Sequence, residues 1–238
     1  MAEGLSTAGV DSTRICLAVR PGTYADDQES AVDTGRWREL PADRLEEFPA
    51  VDGADILIAP LARVQRGVNI IGEDDKSALG SVWLIVRPIP LIDEPAELVA
   101  HIQARALAEH RGPSSDPQAL LAERRKVAGQ YLEEIVRRPP YFQAQPLEVK
   151  LGVVAEIMNG AVQLIGRARR GGTKATLHLV DGALLDPDGG TDLATLIIKL
   201  KEKWQRDGVL PAMHRYYGTT LGAFLDYAEH RTKGGVLC

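Results

Sequence analysis

Cysteine is nearly missing from this chain. Only Cys16 and Cys238 occur among 238 residues, one inside an apolar run and one at the last position. Neither a disulfide framework nor a cysteine-built zinc centre is therefore expected, and a reducing compartment is. The five histidines, His101, His110, His178, His214 and His230, fall at no metal-ligand spacing, so no metal site is expected. His178, inside an apolar run, reads as a histidine satisfied within the fold. Long hydrophobic runs are lacking too: no uninterrupted stretch approaches the roughly 18 apolar residues that cross a bilayer, and Met1–Thr13 has neither a basic leader nor an apolar segment. A cytoplasmic protein with no membrane partner is the expectation. Positive charge is not in excess. The formal net charge of −5 excludes wholesale coating of nucleic acid but is compatible with a local basic patch. Finally, the phosphate-cradling pattern G-x-x-x-x-G-K-[ST] is missing, since Gly171, Gly172 and Lys174 stand in another arrangement, and no D-E-x-[HD] follows a strand.

What the chain does have is apolar content of 45%, enough to bury a core in one large domain or in a domain with an appendage. Its charge is uneven. Ten acids face three arginines between Asp26 and Asp55, whereas Arg167, Arg169, Arg170 and Lys174 lie together with no acid from Gln163 to Lys174. Short apolar or alternating runs at Ile15–Arg20, Asp55–Ala59, Val82–Val86 and Ala175–Val180 read as buried strands. Thr23–Arg38 reads as a loop, and Leu40–Phe48, with Pro41 near its start, as a short helix. Apolar residues recur every three or four positions over Glu94–His110, Asp116–Arg138 and Pro146 to about Ile165, with Gly112, Pro113, Pro139 and Pro140 between them. Three helices follow from that spacing, and two closing helices from Asp192–Gln205 and Thr220–His230. Strands interleaved with helices give an α/β class.

One string speaks directly of chemistry. Gln163, Gly166, Arg167 and Arg170 form Q-x-x-G-R-x-x-R between the third long helix and the strand at 175–180. Two arginines three residues apart suit phosphate, because guanidinium groups stay charged and fork two hydrogen bonds onto its oxygens. A solvated basic turn or a structural pair is the other reading. About a hundred residues upstream, the strand Asp55–Ala59 runs into a loop with Arg63, Arg66, Gly67, Val68 and Asn69. Gly67 allows close approach of a phosphate or base, or simply a left-handed turn. Arg63 and Arg66 can meet nucleic-acid phosphate or stand solvated. Tyr216 and Tyr217 are read as packing a C-terminal helix rather than stacking on bases.

The string at 163–170 resembles motif VI of superfamily 2 helicases, and Arg66–Asn69 resembles motif V, in the right order and each beside a strand. The resemblance covers roughly residues 14–185. Arg87, Pro88, Ile89 and Pro90, with a helical insertion at about 94–140, are similar to the DinG/XPD-like branch. It implies a second, RecA-like helicase domain with a parallel sheet flanked by helices over 14–185, an N-terminal tail 1–13 and a C-terminal helical extension 186–238. Arg167 and Arg170 are then the catalytic arginines. Gln163, Gly166, Gly67 and Asn69 belong to the nucleotide site, with Asn69 facing the sugar. Arg63 and Arg66 touch DNA or RNA. ATP and Mg²⁺ are implied only together with a first RecA-like domain, carried by another chain or by a missing N-terminal part, because the Walker A and D-E-x-H elements belong there. A helicase-like scaffold or nucleic-acid-binding subunit of a defence or repair complex is the alternative function.

Overall fold

The computed structural model describes residues 1–21, 32–33, 36–64, 68–72, 74–87, 95–109, 116–139, 141–185 and 190–232. In chain order the described elements are α1 (Ala2–Thr7), β1 (Ile15–Val19), β2 (Val32–Asp33), β3 (Arg38–Pro41), β4 (Ile56–Ile58), α2 (Leu61–Val64) and β5 (Ser81–Leu84). They continue with α3 (Pro95–Glu109), α4 (Pro117–Val136), α5 (Leu147–Ala168), β6 (Thr176–Leu179), α6 (Leu193–Arg206) and α7 (Leu210–Thr232). The fold is mixed α/β with small parallel sheets. Contacts divide it into two compact units, Met1–Trp83 with Gly160–His178, and Leu84–Asn159 with Leu179–Cys238.

In the first unit, β1 is central, with β3 and β4 parallel on its two sides and β2 antiparallel at the outer edge of β3. An interior parallel strand is covered on both faces and so reads as a continuous apolar run, which is the sequence of β1. Pro41 ends β3 opposite Val19 and has no N–H to give; the N–H of Ala42 donates to the Val19 carbonyl instead, at 2.8 Å. The core joins Cys16, Leu40, Leu45, Phe48 and Ile70, with Leu57, Val64, Val68 and Leu79 packed against it. Burial pushes the Cys16 thiol up to about 11. Alkylation of the native chain at pH 8 should therefore leave Cys16 unmodified, as read by mass spectrometry of its peptide. Complete labelling without denaturant would show that this core opens readily.

The second unit is helical. Asp116 caps α4 by accepting from the Gln118 N–H at 2.9 Å, with Pro117 at the first helical position, and Asp192 caps α6 by accepting from Thr195 at 2.8 Å. α6 and α7 pack through Leu193, Leu196, Ile197, Leu200, Leu221, Leu225 and Ala228, all buried, and Lys201 pairs with Glu229 at 2.7 Å. Where α3 meets α5, the His101 imidazole accepts or donates a 3.0 Å hydrogen bond with the Tyr131 hydroxyl and turns its Cε1 edge onto Gly152. A methyl group at 152 would overlap that ring, coming within 2.8 Å of Nδ1. Gly152→Ala should lower stability by about 1–3 kcal/mol, and adding His101→Ala should recover part of the loss in thermal denaturation. Additive losses would place the strain elsewhere.

Several expectations change. Leu40–Phe48 is not a helix: Arg38–Pro41 is a strand, because its backbone completes the open side of β1, and a 3₁₀ helix follows at Leu45–Ala50. Its three-residue turn sends Leu45 and Phe48 into the core together. Within Thr23–Arg38, read as a loop, Val32–Asp33 forms β2; residues 22–31 and 34–35 lie outside the described residues. α5 runs on past Ile165 to Ala168, so Gly166 and Arg167 are helical. α7 begins ten residues before Thr220, bending at Gly218, and Tyr216 is 79% exposed with Tyr217 also exposed, so the pair does not pack that helix. By length and composition α5 is apolar enough to cross a membrane, though half of its apolar window is buried inside the protein. The 1–13 segment carries α1, tied to Arg36 through a 2.8 Å ion pair with Glu3.

Candidate functional site

In the first unit, the loop after α2 and the end of α5 are bound to one another. Val68 and Ile70 point into the core, so Asn69 between them faces the other way. The guanidinium of Arg167 donates to the Val68 carbonyl, and that of Arg170 donates to Asn69 Oδ1. These bonds join residues 99 and 101 positions apart. On its other side, the Asn69 N–H donates to Glu46 Oε1 at 2.9 Å, from the 3₁₀ helix that seats Leu45 and Phe48.

The chain then makes a tight return. Gly72 N donates to the Lys76 carbonyl at 2.8 Å and Ala78 N to the Ile70 carbonyl at 3.1 Å, while Asp75 adopts a left-handed φ of 59°. The outgoing arm holds the helix end: the Ser77 N–H donates to the Arg170 carbonyl at 3.0 Å. Gly171, with φ 72°, sits directly on Lys76, where a Cβ would come within 2.9 Å of the Lys76 Cα. Only glycine fits, because both the backbone angle and the contact exclude a side chain. Thr173 closes α5, its hydroxyl donating to the Ala168 carbonyl at 2.7 Å.

Arg170 is exposed and Arg167 half-buried. The partner of Arg170 is a neutral amide, so its positive charge is held in place without being cancelled. A guanidinium has five N–H donors, which leaves Arg170 able to fork onto an anion while keeping Asn69. Gln163, one turn before Arg167, is exposed on the same helix. Gly166 is exposed as well, and a Cβ there would meet nothing within 4 Å.

Thus Val68, Asn69, Arg167 and Arg170 come together. Arg63 is exposed in α2, and Arg66 and Gly67 lie outside the described residues. Asn69, expected to face a sugar, accepts at Oδ1 from the Arg170 guanidinium. Glu46, Ser77 and Gly171 were not foreseen; the glycine pair after the arginines, a helix-ending signal, pointed to the last of them. Among the described residues no cluster of three or more His, Cys, Asp or Glu is placed to hold a metal ion. Comparison of the chain with protein-family models, curated proteins and solved structures gives no match.

Proposed function

We propose that the chain is the second, RecA-like domain of a superfamily 2 nucleic-acid helicase, working in the cytoplasm with a first RecA-like domain supplied separately. The observation that carries this reading is the pair of hydrogen bonds by which Arg167 and Arg170 grip Val68 and Asn69. Val68 and Asn69, from the string that resembles motif V, thereby touch Arg167 and Arg170, from the string that resembles motif VI, within one unit.

ATP, bound with Mg²⁺ by the first domain, supplies the transferring phosphoryl group. This chain's donor set suits the outer end of such a nucleotide and not its metal: it offers cations and an amide, and no carboxylate cluster among the described residues. Arg170 presents its fork to phosphate oxygens, and Arg167, anchored on Val68, sets the helix end from which Arg170 projects. Arginines so placed stabilise charge that develops on phosphate during transfer. Gly166 costs α5 about 1 kcal/mol relative to alanine, and no neighbouring atom of the chain requires it. Close approach of a ligand on that face accounts for it. Arg63, exposed in α2 just after β4, is the residue offered to DNA or RNA phosphate.

The test is ATP hydrolysis with single-stranded nucleic acid present, by the chain alone and after assembly with a first RecA-like domain encoded beside it. Negligible turnover alone and turnover in the assembly are expected. Robust Arg170-dependent hydrolysis by the isolated chain would refute the reading.

A further inference from the structure

Within the first unit, the adjoining ends of β5 and β6 display an exposed ring pair that the proposed nucleotide site does not use. The Thr176 N–H donates to the Gly80 carbonyl at 3.3 Å, which sets the two strands in register. Trp83 and His178 then stack, with ring centroids 4.0 Å apart and planes 15° from parallel. The indole N–H donates to Ser81 Oγ at 3.0 Å, which ties the ring to its own strand. Trp83 nonetheless remains 58% exposed.

A cross-strand pair explains the stack but not the exposure. Strands running parallel are normally covered on both faces, and a rigid bare indole is among the more costly surfaces to leave in water. The surroundings say what covers it. Ser81 and Thr176 are small and exposed, and Lys174 is exposed two residues before β6. From Arg167 to Val180 the chain has Arg167, Arg169, Arg170 and Lys174 and no acid. An aromatic platform bordered by cations matches a ligand that is flat and apolar on its face and anionic along its edge.

We propose that the Trp83–His178 stack is a platform for a base of single-stranded nucleic acid, with Lys174 supplying charge for an adjoining phosphate. Stacking of this kind tolerates any base, because every base has a π-face, while the phosphate contribution weakens with salt. Ser81 keeps the indole from turning edge-on. The inference rests on the helicase reading only in taking nucleic acid as the partner; its geometry is separate from that of Arg167 and Arg170.

The experiment uses the full chain and a fluorescent oligothymidylate of about 15 nucleotides. Anisotropy at low salt should show binding that Trp83→Leu weakens about tenfold or more, while Trp83→Phe stays within about threefold. Lys174→Glu should weaken binding and flatten its salt dependence. Fluorine NMR of the chain labelled with fluorotryptophan resolves three indoles, and the Trp83 signal is identified by its loss in Trp83→Phe. That signal should move on titration while those of Trp37 and Trp204 stay. Binding that leaves the Trp83 signal unmoved, unchanged affinity in Trp83→Leu, or no binding at low salt would each overturn the platform. So would a Trp83 signal that moves with protein concentration alone, since the face would then be a contact between copies. Partner-dependent ATP hydrolysis with no platform defeats this inference only; a platform with no such hydrolysis defeats the helicase reading only.

Discussion

If the chain completes a helicase ATP site as proposed, replacing Arg170 with alanine should lower partner-dependent ATP hydrolysis by about 10³-fold or more and leave the melting temperature of the chain nearly unchanged. The split follows from where Arg170 sits. Its side chain is exposed and bonded only to the neutral Asn69 amide among its described contacts, while the bond that fixes its backbone, from Ser77, survives truncation. Arg170→Lys keeps the charge but loses the fork, so it restores activity in part. Arg167→Ala behaves differently: losing a half-buried donor to the Val68 carbonyl costs about 1 kcal/mol of stability in addition to activity. Calorimetry and steady-state kinetics on the same preparations separate the two. If the assembly lacking both arginines hydrolyses ATP and binds nucleic acid as the wild type does, the chain is a scaffold.

Arg87→Ala destabilises the protein by about 3–5 kcal/mol, a fall of roughly 6–20 °C in melting temperature. Arg87 is only 8% exposed. Its guanidinium donates to the Ala183 carbonyl and, at 2.7 Å, to that of Thr191, and lies 4.7 Å over the Phe142 ring. Its backbone N–H donates to Asp181 Oδ2 at 2.6 Å. Burial pulls its pKa down, and the charges of Asp181 and Asp192 pull it back up. Truncation would leave the Ala183 and Thr191 carbonyls without their donor and the buried Asp192 without the charge of Arg87. Arg87→Lys recovers only part, because an ammonium cannot span both carbonyls in one plane. A fall below about 2 °C in thermal denaturation would show that this clamp contributes little.

Much of the architecture was legible in the residues. The runs at Ile15–Arg20, Asp55–Ala59, Val82–Val86 and Ala175–Val180 hold β1, β4, β5 and β6, the three-four spacing located α3, α4 and α5, and the range Asp192–Gln205 located α6. What escaped was decided by tertiary context. β3 is a strand because β1 has an open side, and nothing local to Arg38–Pro41 says so. The first part of α7 is exposed almost all round, so it shows no apolar stripe to find. Gln163, Arg167 and Arg170 were visible as a pattern, but a pattern gives types and spacing, not partners. The Glu46 carboxylate behind Asn69 and the seat of Gly171 on Lys76 are long-range contacts that local sequence does not encode.

Each compact unit is assembled from two separated stretches, and this bears on how the protein is made. At roughly 5–20 residues per second of synthesis, β1–β4 leave the ribosome on the order of 5–20 seconds before Gly160 does. Through that interval the sheet lacks the helix end that grips Val68 and Asn69. The nascent first unit then waits with part of its contacts unmade, by the order of translation itself. Slowing translation after residue 83 should raise the yield of aggregate without altering a single contact of the finished fold.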